Sequence, residues 1–191
     1  MRALAVLSLW LLLSVVPPVE AAPDAVLVVA AEPADAPWWR RAQWQPRATQ
    51  VHGVPVKRLH PQWCAAEALA SVRFEPLVGA AVLEAALAGR RFRIDGTFDG
   101  GAAPQWAFVG AYRRCDGERG MFAAIVEPAK DRLRMRFLVE APEPGSGLAM
   151  LDREPDGTLA VWWCADCANG NRIAYNRDKR EYYVAGPATK R

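Results

Sequence analysis

The chain is 191 residues long, 52% apolar, 24% charged and 9% aromatic, and its 24 Lys and Arg against 21 Asp and Glu leave a formal charge of +3. That balance excludes a disordered chain, a collagen-like repeat and a coiled coil. It also excludes a strongly basic nucleic-acid binder, because +3 over this length is a mild excess. What is left is one globular domain.

The chain opens Met1-Arg2, runs apolar from residue 3 to 16, and continues Pro17-Pro18-Val19-Glu20-Ala21. One basic residue, a short apolar run and a small residue at the end make residues 1–21 an expected secretory signal peptide, cleaved after Ala21. The run undershoots the roughly 20 residues that span a bilayer, and no later stretch approaches 18 consecutive apolar residues, so no transmembrane segment is expected in the mature chain. The expected location is periplasmic or secreted. A mature domain of about 170 residues can bury roughly 70% of its unfolded-chain surface, enough to fold without bridges. All four cysteines, Cys64, Cys115, Cys164 and Cys167, follow the cleavage point. An even count in an oxidising compartment points to two disulfides. Four cysteines allow three pairings, of which Cys164–Cys167 with Cys64–Cys115 is the one expected.

In chain order, residues 22–60 form a Pro-, Trp- and Arg-rich N-terminal segment with a short strand at 25–30, and residues 61–191 form a single globular domain. Two helices are expected over 61–88. Pro61 sits where a first helical turn tolerates it, ahead of the Ala-rich run Gln62 to Ala70. Pro76 opens the second helix and Gly89 closes it, with Val78, Val82, Ala85 and Ala86 as its apolar stripe. From Arg91 the period changes to two. Strands are expected at 91–95, 105–114, 120–126, 132–140, 147–152, 158–164, 172–176 and 181–185, separated by turns such as Asp116-Gly117, Pro155-Asp156-Gly157 and Asn169-Gly170. These connections are too short for parallel crossovers. The expected fold class is α+β: an N-terminal pair of short helices packed on a predominantly antiparallel β-meander of about six to eight strands.

Residues 92–110 read Phe92-Arg93-Ile94-Asp95-Gly96-Thr97-Phe98-Asp99-Gly100-Gly101 and end in the apolar strand Trp106 to Gly110. This segment resembles the strand–loop–strand of FG-GAP or VCBS-type repeats, whose loop runs G-D-F-D-G-D-G-x-x-D. The resemblance implies a tight β-loop, and in the family the loop aspartates bind calcium. Here the four positions hold Thr97, Asp99, Gly101 and Gln105, leaving one carboxylate for a cation that takes six to eight oxygens. No calcium, and no other metal or cofactor, is expected. The run Asp166-Cys167 followed by Arg172-Ile173-Ala174 is similar to the end of the Cys-bounded loop of periplasmic inhibitors of vertebrate-type lysozyme. That resemblance implies a loop presented to an enzyme cleft; this loop is two residues shorter and lacks the family's central His.

Candidate chemistry is sparse. Trp163-Cys164-Ala165-Asp166-Cys167 matches the Trp-Cys-x-x-Cys pattern of thioredoxin-like oxidoreductases, with Cys164 as nucleophile and Cys167 as resolving thiol. The residues that follow, Ala168-Asn169-Gly170-Asn171, spell a turn and not a helix start, so a structural staple is expected. Cys64 and Cys115 stand singly, which does not suit the paired-cysteine spacing of structural zinc. His52 and His60 precede the first helix, and neither Ser71 nor Ser146 lies in a nucleophile-elbow setting. No catalytic residues are assigned, and an enzyme is not the expected reading.

Two basic features remain. Arg132, Arg134 and Arg136 alternate with Leu133, Met135 and Phe137, which places the arginines on one sheet face. Arg91 and Arg93 alternate in the same way with Phe92 and Ile94. If these strands are neighbours, the face carries a ladder able to grip phosphates or carboxylates. The other feature is Trp38, Trp39 and Trp44 interleaved with arginines, a composition enriched at interfaces. The expected function is that of an exported, non-enzymatic protein binding an envelope protein or an anionic surface polymer through these six residues, with no nucleic-acid partner. A thiol–disulfide oxidoreductase is the alternative.

Overall fold

The computed structural model describes residues 25–30, 35–130, 132–142 and 146–189; the expected signal peptide lies outside them. The chain begins with strand β1 (Ala25–Val29), a helical turn α1 (Trp38–Arg41), β2 (Ala42–Pro46), the short strands β3 (Gln50–Val51) and β4 (Val54–Pro55), and a second turn α2 (Val56–Leu59). It continues through β5 (Trp63–Ala68), helices α3 (Ser71–Val78) and α4 (Ala80–Leu87), and strands β6 (Arg93–Gly96), β7 (Gln105–Arg114), β8 (Arg119–Ala129) and β9 (Arg132–Pro142). The last strands are β10 (Met150–Arg153), β11 (Leu159–Trp162), β12 (Asn169–Asn176) and β13 (Glu181–Thr189).

Every strand pairing is antiparallel, as the short connections require. The strands do not form one meander, however. A five-stranded sheet runs β5-β7-β8-β9, and β6 shares with β5 the edge of β7 that β8 does not use. A four-stranded sheet runs β10-β11-β12-β13. A backbone bridge between Arg91 and Leu151 joins the two, through hydrogen bonds of 2.9 and 2.7 Å.

The central strands β7 and β8 are buried on both faces, which explains their nearly unbroken apolar sequence. Ala107, Val109, Ile125 and Ala123 share a core with Leu151, Trp162 and Ile173 of the second sheet and with Phe74 and Leu83 of the helices. The opposite face packs Phe108, Tyr112 and Phe122 against Val51, Val56, Leu59 and Trp63. Gly110 permits this second packing, because a Cβ there would lie 2.3 Å from the Phe122 ring and 2.5 Å from the Glu67 carbonyl oxygen. Residues 38–59 thus belong to the cores and do not merely precede them.

The helical expectation needs correction. The Ala-rich run from Gln62 is not a helix; Trp63–Ala68 is strand β5, paired with β7 and tied to its end by the Cys64–Cys115 disulfide. Ala65 and Ala66 are completely buried, so their small side chains fit between layers, and tertiary context overrides helix propensity. The second helix is two, divided at Gly79, whose φ of 82° ends α3. Pro76 lies inside α3 and does not open a helix. The expected stripe is also displaced: Leu83 and Ala86 face the core, while Val82 and Ala85 face solvent.

Candidate functional site

The tryptophans of the N-terminal segment are mostly core residues. Trp38 and Trp44 retain 8% and 5% of their exposure, and both rings lean on Phe74 at 5.6 and 5.4 Å. The Trp44 indole Nε1 donates to the Gly147 carbonyl at 2.7 Å. Trp39 is half-buried, and its Nε1 donates to Asp166 Oδ1 at 3.2 Å while Arg40 Nη2 donates to Asp166 Oδ2 at 2.6 Å. Burial works to raise the Asp166 pKa, but the donors Trp39 and Arg40 outweigh it and hold the carboxyl below the usual range. This segment therefore clasps the loop that carries the Cys164–Cys167 disulfide. That bridge lies in the turn between β11 and β12, with no helix N-terminus behind it to stabilise a thiolate.

The arginine ladder is divided by a β-bulge. Ile125 opposes Phe137 and Val126 opposes Met135, so Arg136 is the extra residue between them. Its guanidinium turns inward, with 15% side-chain exposure, to Glu127 Oε2 and to Asp99 Oδ2 at 3.4 Å. Arg132 and Arg134 remain exposed. Arg93 is not their neighbour, since β7 and β8 lie between β6 and β9, a separation of roughly 14 Å. It stacks on Trp106 at 4.7 Å and pairs with Asp95 at 2.6 Å.

The loop that resembles a calcium-binding repeat is closed by the chain itself. Asp99 accepts from the Gly101 amide and from Gln105 Nε2, both at 2.9 Å, and faces Arg136. Gln105 Oε1 accepts from the Phe98 amide at 3.0 Å and from the Tyr182 hydroxyl at 2.7 Å. Burial, and then the Asp99 charge, push the Tyr182 pKa upward, keeping it a neutral donor. A guanidinium supplies the positive charge that the lone carboxylate needs. A second polar cluster is similarly self-contained: Glu140 accepts from Trp63 Nε1 at 2.7 Å and Arg114 Nη2 at 3.1 Å. Beside it, burial and then the Glu140 charge push Tyr112 up to about 12.

The uncompensated charge lies elsewhere, around His52. Val51 pairs with Val54 across a two-residue turn in which His52 and Gly53 have φ of 50° and 77°, the sign pattern of a type I′ hairpin. Histidine tolerates the left-handed region better than most residues, and Gly53 enters it without steric cost. The turn lays the imidazole edge-on against Phe108, 4.8 Å between centroids, and against Trp106 at 6.4 Å. Two clefts open on either side. One, of about 420 Å³, is lined by Arg58, Lys130 and Arg132 together with His52. The other, of about 370 Å³, is lined by Arg90, Arg91, Arg93 and His52 over Leu69, Phe92 and Phe108. Among the described residues no carboxylate lines either cleft. Arg58, Lys130 and Arg132 make no ion pair among the described residues. Desolvation, and then the charge of Arg93, lower the His52 pKa below 6.5.

Of the residues expected to bind, only Arg132 lines a cleft of this basic face. Arg58, Arg90, Lys130 and His52 were not singled out by their sequence context. Nothing in the spacing joins positions 52, 58, 90 and 130; the sheet does. The one local hint is Arg90-Arg91 directly after Gly89, at the end of a helix. Comparisons with protein-family models, curated proteins and solved structures find no match to this chain.

Proposed function

We propose that the protein is an exported, non-enzymatic binding protein whose basic face around His52 takes an anionic polymer of the cell envelope. The observation that carries this reading is the pair of clefts sharing His52, with six Lys and Arg side chains between them, of which Arg93 alone pairs with a carboxylate among the described residues. Clustered cations in excess of carboxylates on a rigid sheet raise the local concentration of anions and bind them in a salt-dependent way. Two disulfides support an oxidising compartment, and among the described residues no helix is long and apolar enough to cross a membrane.

The test is retention on immobilised long-chain polyphosphate at low salt, with elution by a salt gradient. Arg58→Gln, Lys130→Gln and Arg132→Gln combined should weaken binding about tenfold, from three exposed contacts of about 0.5 kcal/mol each. Retention equal to that of the wild type in the triple variant, or binding indifferent to salt, would overturn the reading.

A further inference from the structure

We propose that the cleft on the Arg90 side of His52 is a separate site for a small amphiphile, its single carboxylate or phosphate head held by Arg90 and its apolar body lying on Leu69, Phe92 and Phe108. This deepens the reading above by giving one of the two clefts that share His52 a ligand of its own, held by Arg90 and not by Arg58, Lys130 or Arg132.

The starting observation is Arg90 itself. The residue keeps only 8% of its exposure, and its Nε and Nη1 are buried with no hydrogen-bond partner. A guanidinium withdrawn from water normally faces a carboxylate or carbonyl oxygens, because an unpaired buried charge is expensive. Arg90 has instead the ring of Trp162, 4.4 Å from its Cζ, on one side and the cleft on the other. The ring holds the guanidinium plane in place without using any of its N–H groups. Its Nε and Nη1 therefore have no acceptor from the protein, and a head group entering the cleft would supply one.

The rest of the wall suits the same ligand. Arg91 and Arg93 stand at the cleft and add positive charge without entering the core. Ala70 and Ser71 line it where α3 begins, and the Ala70 cap gives the helix no side-chain acceptor for its first amides. Those amides and the helix dipole favour an anion at this end. Below the charges the surface is apolar, supplied by Leu69, Phe92 and Phe108. A volume of about 370 Å³ is at the lower end of the range for small-molecule pockets, too small for a folded partner. Backbone bonding between Arg91 and Leu151 fixes the cleft at the junction of the two sheets. The site is thus built before the ligand arrives.

The experiment is isothermal titration of the disulfide-bonded protein with octanoate, octyl phosphate, inorganic phosphate and octanol. Saturable one-to-one binding of octanoate or octyl phosphate is expected, and the tighter of the two identifies the head group. Octanol binding as tightly as both would mark an apolar pocket without an anion site and overturn the proposal. Inorganic phosphate binding as tightly as octyl phosphate would overturn the role of the apolar floor. Arg90→Met keeps a side chain over Trp162 and removes the charge, and should weaken binding about thirtyfold. Should that variant fail to fold, Arg90→Lys keeps the charge without the fork and should weaken binding less; unchanged affinity in either variant would overturn the assignment. The Arg58, Lys130 and Arg132 triple variant should bind polyphosphate about tenfold more weakly while retaining the amphiphile. Loss of both ligands in that variant would merge the two sites and overturn the separate one. A wild-type protein that ignores polyphosphate but binds octanoate would remove only the polymer reading.

Discussion

Arg136 and Arg90 are two guanidiniums largely withdrawn from water, one on a bulged strand and one just after a helix. Around Arg136 the fold supplies two carboxylates, Glu127 and Asp99, and closes the set with Gln105 and Tyr182. Around Arg90 it supplies an aromatic ring, three further cationic or titratable neighbours and a cleft. A buried charge that is fully paired holds structure together. One left unpaired beside open space lowers local stability and is poised for an external anion.

The scale for testing this contrast is set by the disulfides. Replacing Cys64 and Cys115 by Ala releases a bridge between residues 51 apart and should cost about 4 kcal/mol in urea unfolding. The same change at Cys164 and Cys167, three apart, should cost about 2 kcal/mol. Equal losses would show that the short bridge acts through the clasp to Trp39 and Arg40 as much as through chain entropy. Next comes Glu127→Ala, which strands Arg136 with one distant carboxylate and should cost about 3 kcal/mol. Wild-type stability in that variant would break the contrast at its paired end.

A smaller effect concerns His52. Because the folded protein holds its proton less tightly than the unfolded chain, whose imidazole titrates near 6.5, protonation favours unfolding. The stabilising contribution is in place above about pH 6.5 and is lost as pH falls through the lower folded value. Proton NMR should show that lower value and a rise in Arg93→Gln; the same rise should follow when an anion occupies the cleft. No movement on either change would mean that desolvation alone sets it. The smallest expected effect is that of Arg90→Met, with a melting temperature equal to the wild type or higher, because an unpaired charge leaves the interior. A loss above about 2 kcal/mol would show that Arg90 is structural and sharpen the contrast in the opposite direction.

Legibility followed the range of the interactions involved. The strand expected at 105–114 coincides with β7, and the other expected strands from 120 onward recur with shifted ends, because alternation and glycine turns act over a few residues. Cys64 and Cys115, and Cys164 and Cys167, form the pairing expected of the three possible. The run at 62–70 misled for a physical reason: its alanines favour a helix in isolation, and only pairing with β7 makes them a strand. The arginine ladder misled because a one-residue bulge at Arg136 cannot be seen in an alternating pattern.

Taken alone, the amino-acid sequence determined the antiparallel character of the protein, its turns at Asp116-Gly117 and Pro155-Asp156-Gly157 and the identity of its bridged cysteines, whereas Asn169-Gly170, expected as a turn, opens strand β12. These depend on local backbone preferences and on short connections. The division into two sheets, the burial of Trp38 and Trp44, and the pairing of Arg136 were decided by packing between distant segments. So was the face that gathers His52, Arg58, Arg90, Lys130 and Arg132. Charge in a sequence is only a total, and it is the tertiary structure that sorts cations into those that meet a carboxylate and those left facing water or a ligand.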